Sequence, residues 1–410
     1  MTVPDTAVTR TPLLKFAAKA PFRFRQHNTG ENALQMGRGG ETFYTTSEQF
    51  ANRVVVATPK QFRVIETRAT LPSLPRSDWP TYDFTGKRAL FLLPSQALGS
   101  NVATLLFLQA LREKFSMGGL GVFCARSAAD IYLTDPQTTV FPLWIGEREL
   151  RRWDVVVDLG HLESRRDIDI WPVDMEADLL EAFNVAPSRR YGVEGKALPA
   201  DRPPVIGILP LASSPLRTLP IAATRALCEA LAERGRVVLC LNKDQHQGVL
   251  YAREIGGLPA GVEILDGFAS IGALLSAIDG FDYGVFADSG PAHMSKLFAT
   301  PGVAVYSSAP GDVLQGRFRN LANWTIPFVG PHCATPCGLA KLRATPAGRI
   351  GCMGSLEVPI EGLPSIARGA NPQVVERLLL AEPVPCIAAL RDRPEGLTSF
   401  VLEDLARRAT

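Results

Sequence analysis

Four short runs in the second half of the chain carry neither a charge nor an apolar–polar alternation: Val205-Ile206-Gly207-Ile208-Leu209, Val237-Val238-Leu239-Cys240-Leu241, Tyr283-Gly284-Val285-Phe286-Ala287 and Val303-Ala304-Val305-Tyr306. A strand with one wet face alternates; an unbroken apolar run of this length fits a strand covered on both faces, as in a parallel sheet between two layers. Helical spacing separates the runs, over Ile221 to Arg234, over Ile271 to Ile278 and from Pro291 onward, and Gly235 is a natural stop for the first of these helices. Strands alternating with helices predict βα units and an α/β domain.

The same grammar occurs earlier. Ala89 to Leu93, Gly121 to Cys124 and Asp154 to Asp158 read as strands, with a helix over Asn101 to Phe115 and an acidic amphipathic helix over Val173 to Val185. A polar stretch, Tyr191 to Pro204, separates the two blocks. At 410 residues the chain is too long for one ordinary core. The expected organisation is two Rossmann-like domains, 85–200 and 201–380, with a tail and helix (Leu397 to Arg408) over 381–410. Residues 1–84 lack a long helical period and contain β-branched runs such as Phe43 to Thr46 and Arg53 to Ala57, so they predict a small β-rich N-terminal domain. Within it the basic, aromatic segment Phe16 to Arg25 reads as an edge strand with solvated charges, and it also leaves open contact with a membrane surface or a partner.

Composition removes several classes. A net charge of +2 gives no electrostatic case for nucleic acid. Seven scattered cysteines are no disulfide scaffold and favour a reducing compartment. Arg10, Lys15, Lys19, Arg23 and Arg25 interrupt any signal-peptide core. The uncharged stretch Ala89 to Leu111 is broken in its middle by Pro94, Ser95, Gln96, Gly99, Ser100 and Asn101, so it reads as strand, loop and helix rather than a membrane span. The expected location is cytoplasmic, with peripheral contact at the inner membrane left open. There is no G-x-G-x-x-G after the strand at Ala89, no G-K-[ST] loop and no H-E-x-x-H motif, and Gly118-Gly119-Leu120-Gly121 is only a turn entering a strand.

The segment most loaded with chemistry is Asp288-Ser289-Gly290-Pro291-Ala292-His293, which follows an apolar strand and opens a helix. Gly290 lets the backbone approach a ligand, Pro291 suits the first helical turn, and the free amides at a helix start favour phosphate oxygens. His293, in the first turn, is placed to exchange a hydrogen bond with such a ligand. The alternative is a plain capped helix, with Ser289 as N-cap and His293 solvated.

These residues, with Ala299-Thr300-Pro301-Gly302-Val303-Ala304-Val305 after them, closely resemble glycosyltransferase family 9, the heptosyltransferases of lipopolysaccharide synthesis and their relatives. The resemblance extends over roughly residues 86 to 380, strongly in the second domain and weakly in the first. It implies a GT-B fold: two facing Rossmann-like domains, here preceded by the β-rich domain, as in autotransporter heptosyltransferases. It implies a nucleotide-diphospho-sugar donor held by Arg217, Ser289, Gly290 and His293, with Asp288 supporting the loop. Arg217 stands two positions before Leu219-Pro220, where the family usually has a lysine before an aromatic-proline pair. The implied activity is sugar transfer to a glycan, a lipid-linked or a protein acceptor, with no cofactor and no metal in catalysis; oligomers are left open.

Two departures from the family stand out. Its proposed general base, an Asp after a Gly in the first domain, is replaced here by Ser100, and a later proline by Leu106. An unactivated hydroxyl is no base at neutral pH. Asp158, His161 and Glu163, just past a strand's carboxyl end, are the substitute candidates, and a non-catalytic nucleotide-sugar-binding or assembly protein is the alternative. The second departure is the cysteine cluster. Cys333, Cys337 and Cys352 are weak metal candidates: autotransporter heptosyltransferases hold iron in such a region, but members of the family commonly show one cysteine more than this chain. A fourth ligand would have to be His332, Cys386 or something distant, so free or buried thiols are expected.

Overall fold

The structure is a computed structural model that describes residues 7–25, 34–47, 50–160, 173–190, 192–243, 246–330, 334–337, 344–345, 348–349 and 372–409. Two compact units emerge. One comprises Met1–Ile168, Met175–Arg189 and Ala269–Gly272, and the other Asp169–Asp174, Arg190–Phe268 and Ala273–Thr410.

In the first unit the N-terminal region is β-rich, with strands β1 (Leu13–Ala18), β2 (Phe22–Arg25), β3 (Leu34–Gly37), β4 (Thr42–Thr45) and β5 (Phe62–Ala69). β1 lies between β4 and β5, antiparallel to both, and β2 pairs with β3. The segment expected as an edge strand is therefore two strands, and β1 is interior. Phe16, its central residue, is fully buried in a cluster of Phe43, Phe50, Phe62 and Trp144. The run Arg53 to Ala57 is not a strand either: Ala51–Val56 is a helical turn. Ser47 starts it, its hydroxyl accepting from the Phe50 N–H at 3.1 Å. Phe50, Ala51 and Val55 are buried while Val56 is exposed, a helical rather than alternating pattern.

A four-stranded parallel sheet follows, built from β6 (Arg88–Leu93), β7 (Gly119–Cys124), β8 (Thr138–Phe141) and β9 (Val155–Asp158) in the order β8-β7-β6-β9. The longer helices of this unit among the described residues are α1 (Leu98–Lys114) and α2 (Met175–Ala182). The uninterrupted apolar run Ala89 to Leu93 now has its reason. Leu90 and Leu92 pack with Leu13, Tyr44 and Ala69 of the N-terminal strands. Phe91, pointing the other way, meets Phe107 of α1 and Phe183 after α2. One face of this sheet is thus covered by helices and the other by the β-rich region.

Inside the first unit Arg112 Nη1 donates to Asp135 Oδ2 at 2.8 Å, and the Thr138 hydroxyl donates to the same oxygen at 3.1 Å. Burial pushes the Asp135 carboxyl up, but the hydrogen bond and charge of Arg112 outweigh it and hold the group below its ordinary value. Arg112→Met should cost about 3 kcal/mol at neutral pH, because it removes the cation that offsets the charge of a buried carboxylate. A depressed pKa contributes stability above the unfolded value that is lost as pH falls through the folded one. Urea unfolding of both proteins over an acid pH series should therefore show the difference closing as Asp135 protonates.

The second unit holds a six-stranded, wholly parallel sheet: β10 (Val205–Leu209), β11 (Arg236–Cys240), β12 (Glu263–Leu265), β13 (Tyr283–Ala287), β14 (Gly302–Tyr306) and β15 (Leu321–Thr325). The order is β12-β11-β10-β13-β14-β15, the doubly wound arrangement in which the chain starts at the centre, builds outward one way, then returns and builds the other way. Helices α3 (Ile221–Ala232), α4 (His246–Glu254), α5 (Ile271–Gly280), α6 (Gly290–Phe298), α7 (Pro385–Asp392) and α8 (Glu395–Arg408) join the strands or cover them. Leu227 and Leu231 of α3, Ile387 and Leu390 of α7 and Leu397 and Val401 of α8 share the core with Ile206, Ile208 and Val285. The α/β class expected from the sequence, two units each with a parallel sheet and a β-rich N-terminal region, is what the chain forms. Among the described residues no helix is long and apolar enough to cross a membrane.

Candidate functional site

In a doubly wound sheet the loops leaving the first and fourth strands run apart, opening a crevice at their carboxyl ends. In the second unit those strands are β10 and β13, adjacent and in parallel register from Ile206↔Tyr283 to Leu209↔Phe286. The two sequence segments singled out for chemistry leave these two strands: the loop 210–220 after β10, and Asp288 to His293 after β13.

The structure brings them together. Arg217 Nη1 donates to the Asp288 carbonyl at 2.8 Å and approaches Oδ1 of the same residue at 3.4 Å. Its other terminal nitrogen donates to the Ser213 hydroxyl at 2.9 Å. The guanidinium is 14% exposed and the Asp288 carboxylate 3%. Burial pushes the Asp288 carboxyl up, and the charge and hydrogen bond of Arg217 oppose that shift. Among the described residues, Asp288 Oδ2 and Arg217 Nε are both buried without a hydrogen-bond partner.

Ser289 occupies the N-cap position of α6 in an extended conformation, yet its side chain does not cap the helix; its hydroxyl donates back to the Ala287 carbonyl at 3.1 Å. The reading of Ser289 as a capping side chain therefore does not describe this helix. Gly290 opens α6, Pro291 follows it, and His293 lies half-buried in the first turn. Pro291 has no N–H and the Ala292 N–H donates to the Ser289 carbonyl at 3.1 Å, so what the helix start offers an anion is its positive end beside the held guanidinium of Arg217.

Residues beyond the sequence motifs hold this corner. The Ser307 hydroxyl, at the carboxyl end of β14, donates to the Leu216 carbonyl at 2.8 Å and pins the Arg217 loop. Thr218 accepts from the Ala212 N–H at 3.1 Å, and Gln247 of α4 donates to the Ala212 carbonyl at 3.2 Å. The available signal for Ser307 was its place after an apolar strand next to β13; nothing in the sequence singled out Gln247.

The first unit repeats the strand logic, with β6 and β9 as first and fourth strands. Ser100, in the first turn of α1, is buried. Asp158 ends β9, and its carboxylate is surrounded by donors. Oδ2 accepts from the Arg10 N–H at 2.7 Å and the Thr11 N–H at 2.9 Å. Oδ1 accepts from the Thr11 hydroxyl at 2.7 Å and the Gly160 N–H at 2.9 Å. Gly160 is needed there, since a Cβ would lie 2.2 Å from the Thr11 hydroxyl. His161 and Glu163 lie outside the described residues.

Cys337 is half-buried, and Cys386, in α7, is buried; Cys333, Cys352 and His332 lie outside the described residues. Among the described residues no group of three or more His, Cys, Asp or Glu is placed to hold a metal.

The second unit is thus a doubly wound parallel fold with a guanidinium held at its switch point. Within the chain, residues 174–320, which contain Arg217 and the whole of Asp288 to His293, match glycosyltransferase family 9 (heptosyltransferase). No curated protein matches the chain. Among solved structures, E. coli heptosyltransferase WaaC with ADP is similar at 15% identity and TM-score 0.45, covering 58% of this chain and 94% of its own. The dodecameric iron-containing glycosyltransferase TibC from enterotoxigenic E. coli H10407 is similar at 13% identity and TM-score 0.48, over 100% of both chains. A TibC structure in complex with ADP-D-beta-D-heptose gives 10% identity and TM-score 0.48, again over 100% of both.

The TibC description corrects one expectation. The sequence reading assigned no cofactor and no metal, whereas TibC is described as iron-containing. Of the cysteine cluster the described residues include Cys337 alone.

Proposed function

We propose that the second unit binds the diphosphate of a nucleotide-diphospho-sugar at the switch point between β10 and β13, and that the protein transfers that sugar to a glycan, lipid-linked or protein acceptor. One observation carries the reading: Arg217 is tied to the Asp288 loop at the start of α6. In this role the positive end of α6 and Arg217 take the phosphate oxygens, Gly290 gives them room, and His293 adds a hydrogen bond. The charge that grows on the diphosphate as the glycosidic bond breaks meets donors already in place, which favours the transition state over the bound donor.

The acceptor hydroxyl must lose a proton as it attacks. Asp158 is poorly suited to take it, because its oxygens already accept four hydrogen bonds from the protein, and we read it as an anchor for residues 10 and 11. His161 and Glu163 remain the proposed bases. The second reading, a non-catalytic nucleotide-sugar-binding protein, is favoured by the burial of Ser100 where the family places its carboxylate.

The test is incubation of the protein with ADP-heptose and with UDP- and GDP-sugars, with and without bacterial envelope extract, following nucleoside diphosphate release. Release that depends on the extract and falls at least 100-fold in His161→Ala or Glu163→Ala, with donor affinity unchanged, is the expected result. Saturable donor binding with no release under any condition would establish the non-catalytic reading instead.

A further inference from the structure

The loop that carries Arg217 contains no helix or strand between Pro210 and Pro220. Its own backbone closes it at two points. The Leu219 N–H donates to the Pro210 carbonyl at 2.9 Å, and the Arg217 N–H donates to the Ser214 carbonyl at 3.1 Å. Where a ladder of backbone bonds is missing, side chains decide where the tip of a loop sits.

Helix α4 supplies two such side chains. Gln247, its second residue, gives both hydrogens of its side-chain nitrogen to the loop: one to the Ala212 carbonyl at 3.2 Å, the other to the Thr218 hydroxyl. That hydroxyl also accepts from the Ala212 N–H at 3.1 Å and donates to the Ser214 carbonyl at 3.2 Å. Its one hydrogen and both lone pairs are then in use. Ala212 and Thr218 stand on the incoming and outgoing limbs, so Gln247 bridges the limbs next to Arg217. One turn along α4, the Tyr251 hydroxyl donates to the Leu219 carbonyl at 3.1 Å and shares a hydrogen bond with the Thr224 hydroxyl at 2.5 Å. Residues four apart lie on one helix face, so both side chains reach the loop from the same side. Gln247 is 9% exposed, Thr218 1%, and Tyr251 is fully buried.

We propose that Gln247 is a positioning residue for the donor diphosphate, fixing the loop conformation from which Arg217 reaches the Asp288 carbonyl. The amide acts through Arg217 and not on the ligand. An apolar side chain would fill the same space, but it could not join the two limbs. A buried polar network with every member satisfied holds one geometry, which is what a guanidinium contact at 2.8 Å requires. The inference rests on the donor-site reading.

The experiment is a double-mutant cycle. Wild type, Gln247→Met, Arg217→Ala and the double variant are titrated calorimetrically with ADP, UDP and GDP, with thermal unfolding as the folding control. Gln247→Met should weaken binding of the nucleotide that wild type takes roughly 10-fold, and less than about 2-fold in the Arg217→Ala background, because the residue it positions is gone. Without nucleotide, amides of residues 211–219 should exchange faster in Gln247→Met than in wild type. If Gln247→Met does not fold, Gln247→Glu takes its place in the cycle, since an ionised carboxylate keeps the shape but has no hydrogen to give. Equal losses in the two backgrounds would show a merely structural role and overturn the proposal. So would wild-type affinity or unchanged exchange in the folded Gln247 variant while Arg217→Ala binds weakly. Binding of none of the three nucleotides by wild type, or full affinity in Arg217→Ala, would instead remove the donor-site reading and the proposal with it.

Discussion

Substituting Arg217 with alanine is expected to weaken binding of a nucleotide-diphospho-sugar by roughly 30- to 150-fold, about 2–3 kcal/mol, the range for hydrogen bonds to a charged group. The change acts twice. It removes a cation held beside the start of α6, and it releases the Asp288 loop, whose main-chain carbonyl the guanidinium holds at 2.8 Å. It also leaves burial unopposed at Asp288, so that carboxyl moves further above its ordinary value. A group with a raised folded pKa contributes stability that is present below the unfolded pKa and lost as pH rises through the folded one. The stability deficit of Arg217→Ala should therefore be small in acid, where Asp288 is protonated in both proteins, and grow as the pH rises through its titration. Calorimetric titration gives the affinity, and urea unfolding across pH gives the second readout. Arg217→Lys should recover part of the affinity but not the Ser213 contact, because an ammonium cannot span both partners as the fork does.

The second large effect is structural. Asp158→Ala should destabilise the protein by about 4 kcal/mol, since it strands the N–H groups of Arg10, Thr11 and Gly160 and the Thr11 hydroxyl, several of them buried. Asp158→Asn should fall between, because an amide keeps one acceptor oxygen and places a donor where the other stood. Urea unfolding measures the loss. Amide hydrogen exchange locates it: residues 9–12 should exchange much faster in the alanine variant, while the second unit stays protected. A catalytic base at this position would give the opposite pattern, with turnover lost and stability kept. A stable Asp158→Ala protein with collapsed turnover would return Asp158 to the role expected from sequence.

Much of the second unit was legible because its strands are covered on both faces and therefore unambiguous. Val205 to Leu209 and Tyr283 to Ala287 are strands at the bounds read from sequence. Leu321–Thr325 was missed: Asn323 and Thr325 interrupt its apolar run, and as an edge strand it keeps partly exposed positions. α4 was missed because it begins among polar residues and carries only a few apolar positions. In the N-terminal region β-branched content misled. Val54 to Val56 are good strand formers locally, but Ser47 starts a helical turn and Phe50 draws it onto the aromatic core, so tertiary packing overrides propensity.

The site was half legible. Arg217 and Asp288 could be named singly, from a loop cation and a strand–Gly–Pro–helix pattern, but their contact over 71 positions follows from the strand order, which no local pattern shows. The role of Asp158 was hidden for the same reason. Its partners Arg10 and Thr11 are 148 and 147 positions away and belong to a segment that reads as a separate domain, yet Leu13 and Tyr44 of that region share a core with Leu90 and Leu92.

The central claim is that a diphosphate sits on the backbone at the start of α6, and Gly290 tests it most directly. Gly290→Val places a branched side chain where phosphate oxygens would approach the helix start, leaving Arg217 and Asp288 in place. Calorimetric titration of wild type and Gly290→Val with ADP, UDP and GDP, alongside circular dichroism to confirm folding, should give saturable one-to-one binding of at least one nucleotide to the wild type and none to the variant. Equal affinity in the two folded proteins would contradict the account.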